Sequence, residues 1–541
     1  MNKRVYNVFF NVHTVSGIVM SVGLFVCFLA GAFALFMGNI NKWQINAKSA
    51  ENVKVDYEGM ISVLDDEGYN LNGRTMFMQL VDDPMPFVMV MSRPVRGGEK
   101  GATRNVYENS GEGINPNGAI SLKIDPETFK IIDSAEAEPS NYLGTFLYHL
   151  HYFDQIPRVG LYLSGFVSLF FLLAIISGTI VHWRKIVSNF FTFRLKASIK
   201  NFWTDGHTAL GIIGLPFQFM YAVTGAMLGL LVVVLIPASM VLFGGNTAKL
   251  LGYIAPAYKT YEKANEIQLE RENINDLVQQ ARKDLDVPDY KMAAVNVVNY
   301  NDKNAYLMAE FRQEGEKTFF DDGHVVYRLN DGEQVEIKPF GDNGLTKGGV
   351  LHTIRKLHYA HFGGYFMKII YFILALGTCY VILSGVMIWL EARNSKKYAS
   401  KKKFNTAVDA IYMGTCMGLL PAIAFFFCLA KLMPEGIVDR FAMMSNIFFL
   451  FWLGYIVYAF IIKDLYKINK HALFLTGILG LIIPVLNGIT AGMWFWKALP
   501  SGYYDSFFVD CSWLLLGAIC LIVSRYVKRL KCYKKVKAAQ V

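Results

Sequence analysis

The chain has 541 residues, of which 53% are hydrophobic and 18% are charged, and its formal net charge is +10. Several apolar runs reach about 20 residues, enough to cross a hydrocarbon core of ~30 Å. This excludes an ordinary soluble domain and predicts a polytopic α-helical membrane protein. The excess Lys and Arg lies in short loops between these runs, where it sets membrane orientation, so we expect the lipid bilayer and no nucleic acid as a partner. The first apolar run is too long for a signal peptide, so no cleavable signal peptide is expected.

The apolar runs predict about eight transmembrane helices in chain order. Their approximate ranges are 12–38, 158–183, 208–243, 365–391, 405–430, 441–462, 472–496 and 506–526. Lys and Arg are dense at both ends of the chain and in alternate short loops, which predicts that both termini and these loops are cytoplasmic. The two long polar segments, 39–150 and 244–357, are then predicted outside the membrane.

Each long polar segment combines helical and strand-like patterns. In the first, Met76–Leu80, Phe87–Met91 and Ala119–Ile124 alternate apolar and polar residues, as half-buried strands do. In the second, Asn275–Leu285 is predicted as an amphipathic helix. The strands predicted to follow it are Lys291–Val298, Ala305–Phe311, Lys317–Phe320 and His324–Leu329. Both segments are therefore predicted to be small α+β domains.

The chain also contains an internal repeat. His207, Thr208, Gly211 and Gly225 follow His13, Thr14, Gly17 and Gly31 by 194 residues each. His358 follows His151, and Ser384-Gly385 follows Ser177-Gly178, by 207 residues each. Each half consists of a span, an outer domain and a second span. Both halves start on the same side, so they are parallel repeats related by a two-fold axis along the membrane normal.

The repeat defines the predicted domain organisation. It consists of transmembrane helix 1 (1–38), outer domain 1 (39–150), transmembrane helices 2 and 3 (151–243), outer domain 2 (244–357), transmembrane helix 4 (358–395) and a four-helix membrane extension (396–541). The extension contains no His within its spans. The sequence of the extension is compatible with three roles, namely packing, oligomerisation and docking of an electron donor, and it does not distinguish among them.

Four histidines recur at the membrane boundaries of the repeats. The two-fold axis predicts that His13 meets His207 near the cytoplasmic surface and that His151 meets His358 near the outer surface. Haem iron offers one axial position on each face of the ring, so two facing histidines suit one or two haem b groups. Gly17 and Gly211, one turn from the inner pair, would let a flat macrocycle approach the backbone. We therefore predict His13, His207, His151 and His358 as haem ligands.

Other histidines are possible alternates. His182 could replace an inner ligand, although its repeat counterpart is Trp389. His149, His352 and His361 lie close in sequence to the outer pair and could supply a spare ligand or part of a transition-metal site. His324 and His471 look like ordinary loop residues.

The residues resemble those of the PepSY-associated transmembrane proteins, which include iron-regulated membrane proteins of bacteria. The resemblance rests on the His at the start of span one, on Ile124-Asp125-Pro126 with Thr128, on the Leu-His before span two and on the Ser-Gly near the end of span two. Each of the histidine motifs recurs in the second repeat. It covers residues 1–395 and leaves out the last four spans. The resemblance implies PepSY-like periplasmic domains, haem ligation at the four repeated histidines and the bacterial inner membrane. It also implies reduction of a ferric siderophore.

These features predict a transmembrane electron conduit that acts as a membrane oxidoreductase, a ferric-chelate reductase. Electrons would enter from a quinol or a cytoplasmic reductase and leave to a ferric siderophore or another Fe(III) chelate. Two alternatives remain open. One is a regulatory protein whose PepSY modules bind peptidases, and the other is a transporter of metal or siderophore.

Overall fold

In a computed structural model of the protein, the described residues form two compact units. The described residues are 2–48, 53–92, 117–132, 142–183, 186, 199–246, 249–250, 261–286, 290–313, 322–340, 350–393, 402–434 and 436–527. We call the units the helical unit, comprising Met1–Lys48, Ser140–Leu231 and Lys368–Val541, and the sheet unit, comprising Ser49–Pro139 and Val232–Met367.

The regular elements are numbered here in chain order. The helices of the described ranges are α1 (Lys3–Ala34), α2 (Met37–Ile45), α3 (Tyr57–Asp66), α4 (Leu143–His151), α5 (Gly160–His182), α6 (Ile199–Ile213), α7 (Leu215–Gly229), α8 (Leu231–Phe243), α9 (Ile274–Asp284), α10 (Val350–Tyr359), α11 (Gly364–Arg393), α12 (Lys402–Leu432), α13 (Arg440–Ile462), α14 (Leu465–Ala491), α15 (Phe495–Ala498) and α16 (Tyr504–Tyr526). The strands are β1 (Met76–Asp82), β2 (Pro86–Ser92), β3 (Ile120–Ile124), β4 (Tyr290–Val298), β5 (Tyr306–Gln313), β6 (Asp322–Arg328) and β7 (Gln334–Lys338).

Seven helices of the described chain are long and apolar enough to cross a membrane. They are α1, α5, α11, α12, α13, α14 and α16. Each coincides with one of the predicted spans. The protein is therefore a polytopic helical membrane protein.

The predicted third span, 208–243, is not one helix. Helices α6 and α7 meet at a bend of 70°, and together they make at most one further span. Pro216 lies at the start of α7 and has no N–H with which to continue the hydrogen bonding of α6. A third helix, α8, begins only after Leu230. Hydropathy alone did not reveal these breaks, because all three helices are apolar.

The extension after α11 is joined to the first repeat by a buried polar network. Asp510 of α16 is fully buried and accepts hydrogen bonds from the indole N–H of Trp43 at 2.8 Å and the side-chain amide of Asn487 at 2.9 Å. Lys431 of α12 donates to the carbonyl of Trp43 at 2.7 Å. Because buried polar groups are costly without partners, this network fixes α12, α14 and α16 against α2.

In the sheet unit, the two outer segments share one antiparallel sheet. Its strand order is β3-β2-β1-β4-β5-β6-β7. The segments join where β1 pairs with β4, with Met76 opposite Val297 and Met78 opposite Val295. Six of the predicted strands are confirmed, whereas Lys317–Phe320 lies outside the described residues. Strand β7 was missed, although Gln334–Lys338 alternates polar and apolar residues.

Helices α3 and α9 cover one face of this sheet with equivalent residues. The predicted helix Asn275–Leu285 is confirmed as α9, shifted by one residue. The buried positions of the two helices share the i, i+3, i+4, i+7 spacing of an amphipathic helix. They are Tyr57, Met60, Ile61 and Leu64 in α3, and Ile274, Leu277, Val278 and Ala281 in α9, each pair 217 residues apart.

The N-termini of α3 and α9 cap each other. The backbone N–H of Tyr57 donates to the side-chain oxygen of Asn275 at 2.8 Å, and the N–H of Ile274 donates to the Glu58 carboxylate at 2.7 Å. Glu58 and Asn275 are repeat equivalents, again 217 residues apart. Each helix therefore satisfies an otherwise unpaired N–H of the other, as a local two-fold axis requires.

Glu58 also forms a bidentate ion pair with Arg271. The two hydrogen bonds measure 2.7 and 2.8 Å. Burial by itself would raise the pKa of the Glu58 carboxyl, but the hydrogen bonds from Arg271 and from the N–H of Ile274 outweigh it and lower this pKa below its usual range. The carboxylate therefore stabilises the junction of the two segments in its charged form.

Candidate functional site

His13 of α1 is held by α5. Its Nδ1 lies 2.8 Å from the carbonyl oxygen of Ala174. A carbonyl can only accept a hydrogen bond, so Nδ1 carries the proton and Nε2 keeps its lone pair, the form that binds a metal. A Cβ built on Gly178 would lie 2.8 Å from Cε1 of His13. Gly178 therefore leaves the space that the imidazole fills.

His207 of α6 is held by α11 in the same way. Its Nδ1 lies 2.9 Å from the carbonyl oxygen of Val381, and a Cβ on Gly385 would lie 3.0 Å from its Cε1. Val381 and Gly385 follow Ala174 and Gly178 by 207 residues. The repeat read from the sequence thus extends to the individual contacts of both imidazoles. The hydroxyl of Ser384 lies 3.3 Å from the same nitrogen.

The rings of His13 and His207 lie close together within the helical unit. Their centroids are 6.1 Å apart and their planes differ by 71°. Two metal–nitrogen bonds of about 2 Å, each extended by about 1 Å to the ring centre, give a separation of about 6 Å. The pair therefore fits two axial ligands of one iron. Beside the rings, a Cβ on Gly17 or on Gly211 would meet nothing within 4 Å, so open space adjoins both histidines.

His151 of α4 contacts the C-terminal part of α1. Its Nδ1 lies 2.6 Å from the carbonyl oxygen of Cys27. A Cβ on Gly31 would lie 2.7 Å from the same nitrogen. His151 therefore has the same two supports as His13 and His207, a carbonyl for Nδ1 and a glycine below the ring. Its Nε2 is likewise left with the lone pair.

His358, the predicted partner of His151, is buried on α10 of the sheet unit, with 8% of its surface exposed. His151 belongs to the helical unit. The meeting of these two side chains therefore stays a prediction, as does haem ligation by all four histidines.

The alternates have different surroundings. His149 of α4 pairs with Asp154 at 3.3 Å. Burial lowers the pKa of His149, and the attraction of Asp154 opposes this shift only in part. His182 ends α5 near His13. Its repeat counterpart, Trp389, instead stacks under the guanidinium of Arg393 at 3.4 Å from the ring centre.

For the remaining histidines, ligation stays a prediction. The backbone N–H of His361 donates to the carbonyl of Lys356, and the side chain of His352 lies outside the described residues. His324 and His471 were predicted as loop residues, which is wrong for both. His324 is buried in β6, 3.4 Å from Glu336, and His471 lies within α14, so one helix of the extension does contain a histidine. Within the part of the chain that the structure describes, no three His, Cys, Asp or Glu side chains meet as a metal site.

A cluster of aromatic rings packs among the helices of the repeat in the helical unit. Along α1, Cys27 lies 14 residues after His13, which corresponds to about 21 Å. Phe28 of α1 contacts Phe171 of α5 at 5.5 Å and Tyr221 of α7 at 5.9 Å. Tyr221 contacts Tyr371 of α11 at 5.7 Å. Helices α1, α5, α7 and α11 all contribute a ring to this aromatic cluster.

A comparison with known protein families identifies the part of the chain that carries the repeats. The family described as the PepSY-associated TM region matches residues 10–392. The chain belongs to this family. The match includes α11 and leaves out the extension, α12 to α16. No curated protein matches the chain significantly.

Sequence reasoning missed some residues of this PepSY-associated TM region. Gly178, Gly385 and Gly31 were recognised as repeated positions, but their contacts with the imidazoles were not expected. The sequence did contain a signal for these glycines, because each of them has a counterpart in the other repeat at the same offset as its helix. The aromatic cluster gave no such signal: Phe28 and Phe171 correspond to Ala222 and Thr378 in the second repeat.

Proposed function

We propose that the protein holds haem b between histidines of its transmembrane helices and carries electrons across the bacterial inner membrane. The final acceptor is a ferric siderophore or another Fe(III) chelate at the periplasmic face, and both termini are cytoplasmic. The observation that best supports this proposal is the inner pair, His13 and His207. Two imidazoles with equivalent supports lie close together at a separation that suits one iron atom.

The chain contributes orientation and a dry environment. The carbonyls of Ala174 and Val381 accept the Nδ1–H of His13 and His207, which leaves the Nε2 lone pair of each ring for a metal and makes the ring more basic. Gly17 and Gly211 leave room beside the rings for a flat ligand. When bound, haem b supplies an iron that gains or loses one electron, with a potential that depends on axial ligands and burial. The aromatic cluster keeps water out of the space among α1, α5, α7 and α11.

The sheet unit is the proposed place of chelate binding. Ferric iron is held by hard oxygen donors, and reduction weakens that binding because Fe(II) is a softer ion. A reductase of this kind therefore releases iron without breaking the chelator. A peptidase-binding anchor would require neither the paired imidazoles nor the open space beside them.

Spectroscopy of the purified protein tests the proposal. Protein expressed with a haem supply should show a bis-histidine b-type spectrum on reduction, and pyridine haemochrome analysis should give one or two haems per chain. His13→Ala and His207→Ala should each lose the inner haem, whereas His471→Ala, a change in α14 far along the chain from the repeats, should not. A wild-type protein without a Soret band would contradict the proposal.

Activity is tested in liposomes. Reductant enclosed on the cytoplasmic side should reduce an external ferric hydroxamate chelate, detected as Fe(II) with ferrozine, and His151→Ala should slow this reaction. Movement of the intact chelate without an electron donor would instead favour a transporter.

A further inference from the structure

Asp409 is a buried carboxylate within a membrane-spanning helix, and among the residues that the structure describes one of its oxygens has no hydrogen-bond partner. It lies in α12 with 5% of its surface exposed. Oδ1 forms no hydrogen bond with any residue that the structure describes. A polar group buried in this way costs several kcal/mol in the absence of compensation, and ionisable groups inside membranes are usually functional.

A second polar group lies one turn away. Tyr412 follows Asp409 by three residues, so both side chains project from the same side of α12. The Tyr412 hydroxyl is buried near Ser21 of α1 and Cys416, yet among the described residues it makes no hydrogen bond of good geometry. Together the two side chains offer a hydrogen-bond acceptor and a group that both donates and accepts.

These groups lie beside α11, the helix that supports His207 of the inner pair. Ala410 and Met413 of α12 belong to one buried cluster with Val386 of α11. Val386 directly follows Gly385, the glycine under the ring of His207. Asp409 is therefore carried by the stretch of α12 that packs against the support of His207.

The same part of α12 also reaches the outside of the helical unit. Val408 and Ile411 are 38% and 42% exposed. Since both belong to an apolar helix of membrane-spanning length, their exposed surface is suited to lipid. The lipid-exposed side of α12 thus lies one residue along the chain from both Asp409 and Tyr412.

Packing of the extension does not account for Asp409. The other buried carboxylate of this region, Asp510, has a donor for each oxygen, from Trp43 and from Asn487. That network already fixes the extension to the first repeat. Asp409 has no comparable network among the described residues, so a role in holding α12 in place leaves its free oxygen unexplained.

We propose that Asp409 and Tyr412 bind the headgroup of a hydroquinone from the bilayer, the electron donor of the conduit. This inference rests on the proposed function. The Asp409 carboxylate accepts a hydrogen bond and then the proton from one quinol hydroxyl, and Tyr412 hydrogen-bonds the other quinol oxygen. The quinol loses two protons and two electrons and becomes the quinone. Both protons pass in turn from Asp409 to water at the nearer membrane surface. The two electrons would leave singly to the haem iron that His13 and His207 would hold, and this iron would pass the first electron on toward the acceptor before it takes up the second.

The test compares two electron donors on the full-length, haem-loaded protein in detergent. Decyl-ubiquinol should reduce the haem of the wild type, and dithionite should reduce it in every variant. Asp409→Asn should slow reduction by the quinol at least tenfold and leave reduction by dithionite unchanged. Asp510→Asn is the matched control, because it changes a buried carboxylate of the same extension and should keep the wild-type rate with quinol.

A photoreactive azidoquinone gives a readout that needs no haem. It should label residues 402–432 in the wild type, and excess decyl-ubiquinol should compete with the labelling. Asp409→Asn should label weakly. If Asp409→Asn fails to fold, Tyr412→Phe replaces it, with the same expected loss of labelling and of the quinol-dependent rate.

The outcomes separate the inference from the proposed function. A haem that dithionite reduces but quinol does not, or equal quinol rates in Asp409→Asn and the wild type, overturns the quinol site and leaves the conduit intact. Labelling of another helix also overturns the quinol site. A wild type that binds no haem contradicts the conduit itself, and labelling at α12 then still reports on quinol binding.

Discussion

The open space beside Gly17 and Gly211 provides a sharp test of haem binding. A methyl group at either position would meet nothing within 4 Å in the protein. In the protein without haem, Gly17→Ala and Gly211→Ala should therefore raise stability slightly. A helical Gly→Ala change without clashes contributes about 0.5–1 kcal/mol, because the unfolded chain loses backbone freedom.

The effect should reverse when haem is bound. If the macrocycle occupies this space, the added methyl overpacks it at a cost of about 1–3 kcal/mol. Since 1.4 kcal/mol corresponds to a tenfold change, haem affinity should fall by about 5- to 150-fold. Haem content per chain, measured by pyridine haemochrome, and the melting temperature with and without haem report the two effects separately.

Gly454→Ala is the matched control for both variants. Gly454 also lies inside an apolar helix, α13, and a Cβ there meets nothing within 4 Å. It should raise the melting temperature to a similar extent and leave haem content unchanged. If Gly17→Ala and Gly211→Ala retain haem as well as Gly454→Ala does, the macrocycle does not occupy this space and the reasoning is wrong.

Three further predictions concern the supports of the fold. Gly178→Ala places a methyl 2.8 Å from His13 Cε1, so the ring should rotate away from the Ala174 carbonyl. The electron paramagnetic resonance signal of the oxidised haem should then shift, and an unchanged signal would contradict this prediction. Glu58→Gln should cost about 1.5–3 kcal/mol near neutral pH, seen as faster hydrogen exchange in α3 and α9. Because the pKa of Glu58 is lowered in the folded protein, its contribution to stability is present above its unfolded-state pKa of about 4.3. This contribution disappears as the pH falls through the folded-state pKa, so the stabilities of wild type and variant should converge there. Trp43→Phe removes a donor to buried Asp510 and should cost about 1–3 kcal/mol, measured as a lower melting temperature, whereas the exposed Trp496→Phe should have no effect.

Much of the fold could be predicted because its signals are local. Membrane-spanning helices are long apolar runs, so seven of the predicted spans coincide with helices. The third span was predicted as one helix because hydropathy does not register a backbone break, and Pro216 interrupts hydrogen bonding without lowering apolarity. In the sheet unit, the alternation of Met76–Leu80 was sufficient to identify β1, but its pairing with β4 joins residues more than 200 positions apart.

The candidate site, too, could be predicted only where its signal lies in the sequence pattern. The shared offsets of His13 and His207 predicted that these two side chains would face one another, since a repeat imposes symmetry on any site between its halves. The repeat offsets carried no information about Asp409, because it lies outside the repeat. What distinguishes it from the other buried carboxylate, Asp510, is the set of hydrogen-bond partners around each side chain. Which buried carboxylate is satisfied depends on the packing of several helices.

By itself the sequence determined the membrane-spanning character of this protein, its duplication and the pairing of its inner histidines, because hydropathy and repeat offsets are properties of neighbouring or equivalent residues. Only the tertiary structure decided that the two outer segments share one sheet, that a carbonyl and a glycine hold each of three imidazoles, and that open space lies beside the inner pair. These features depend on distances between segments far apart in the chain, which no local pattern encodes.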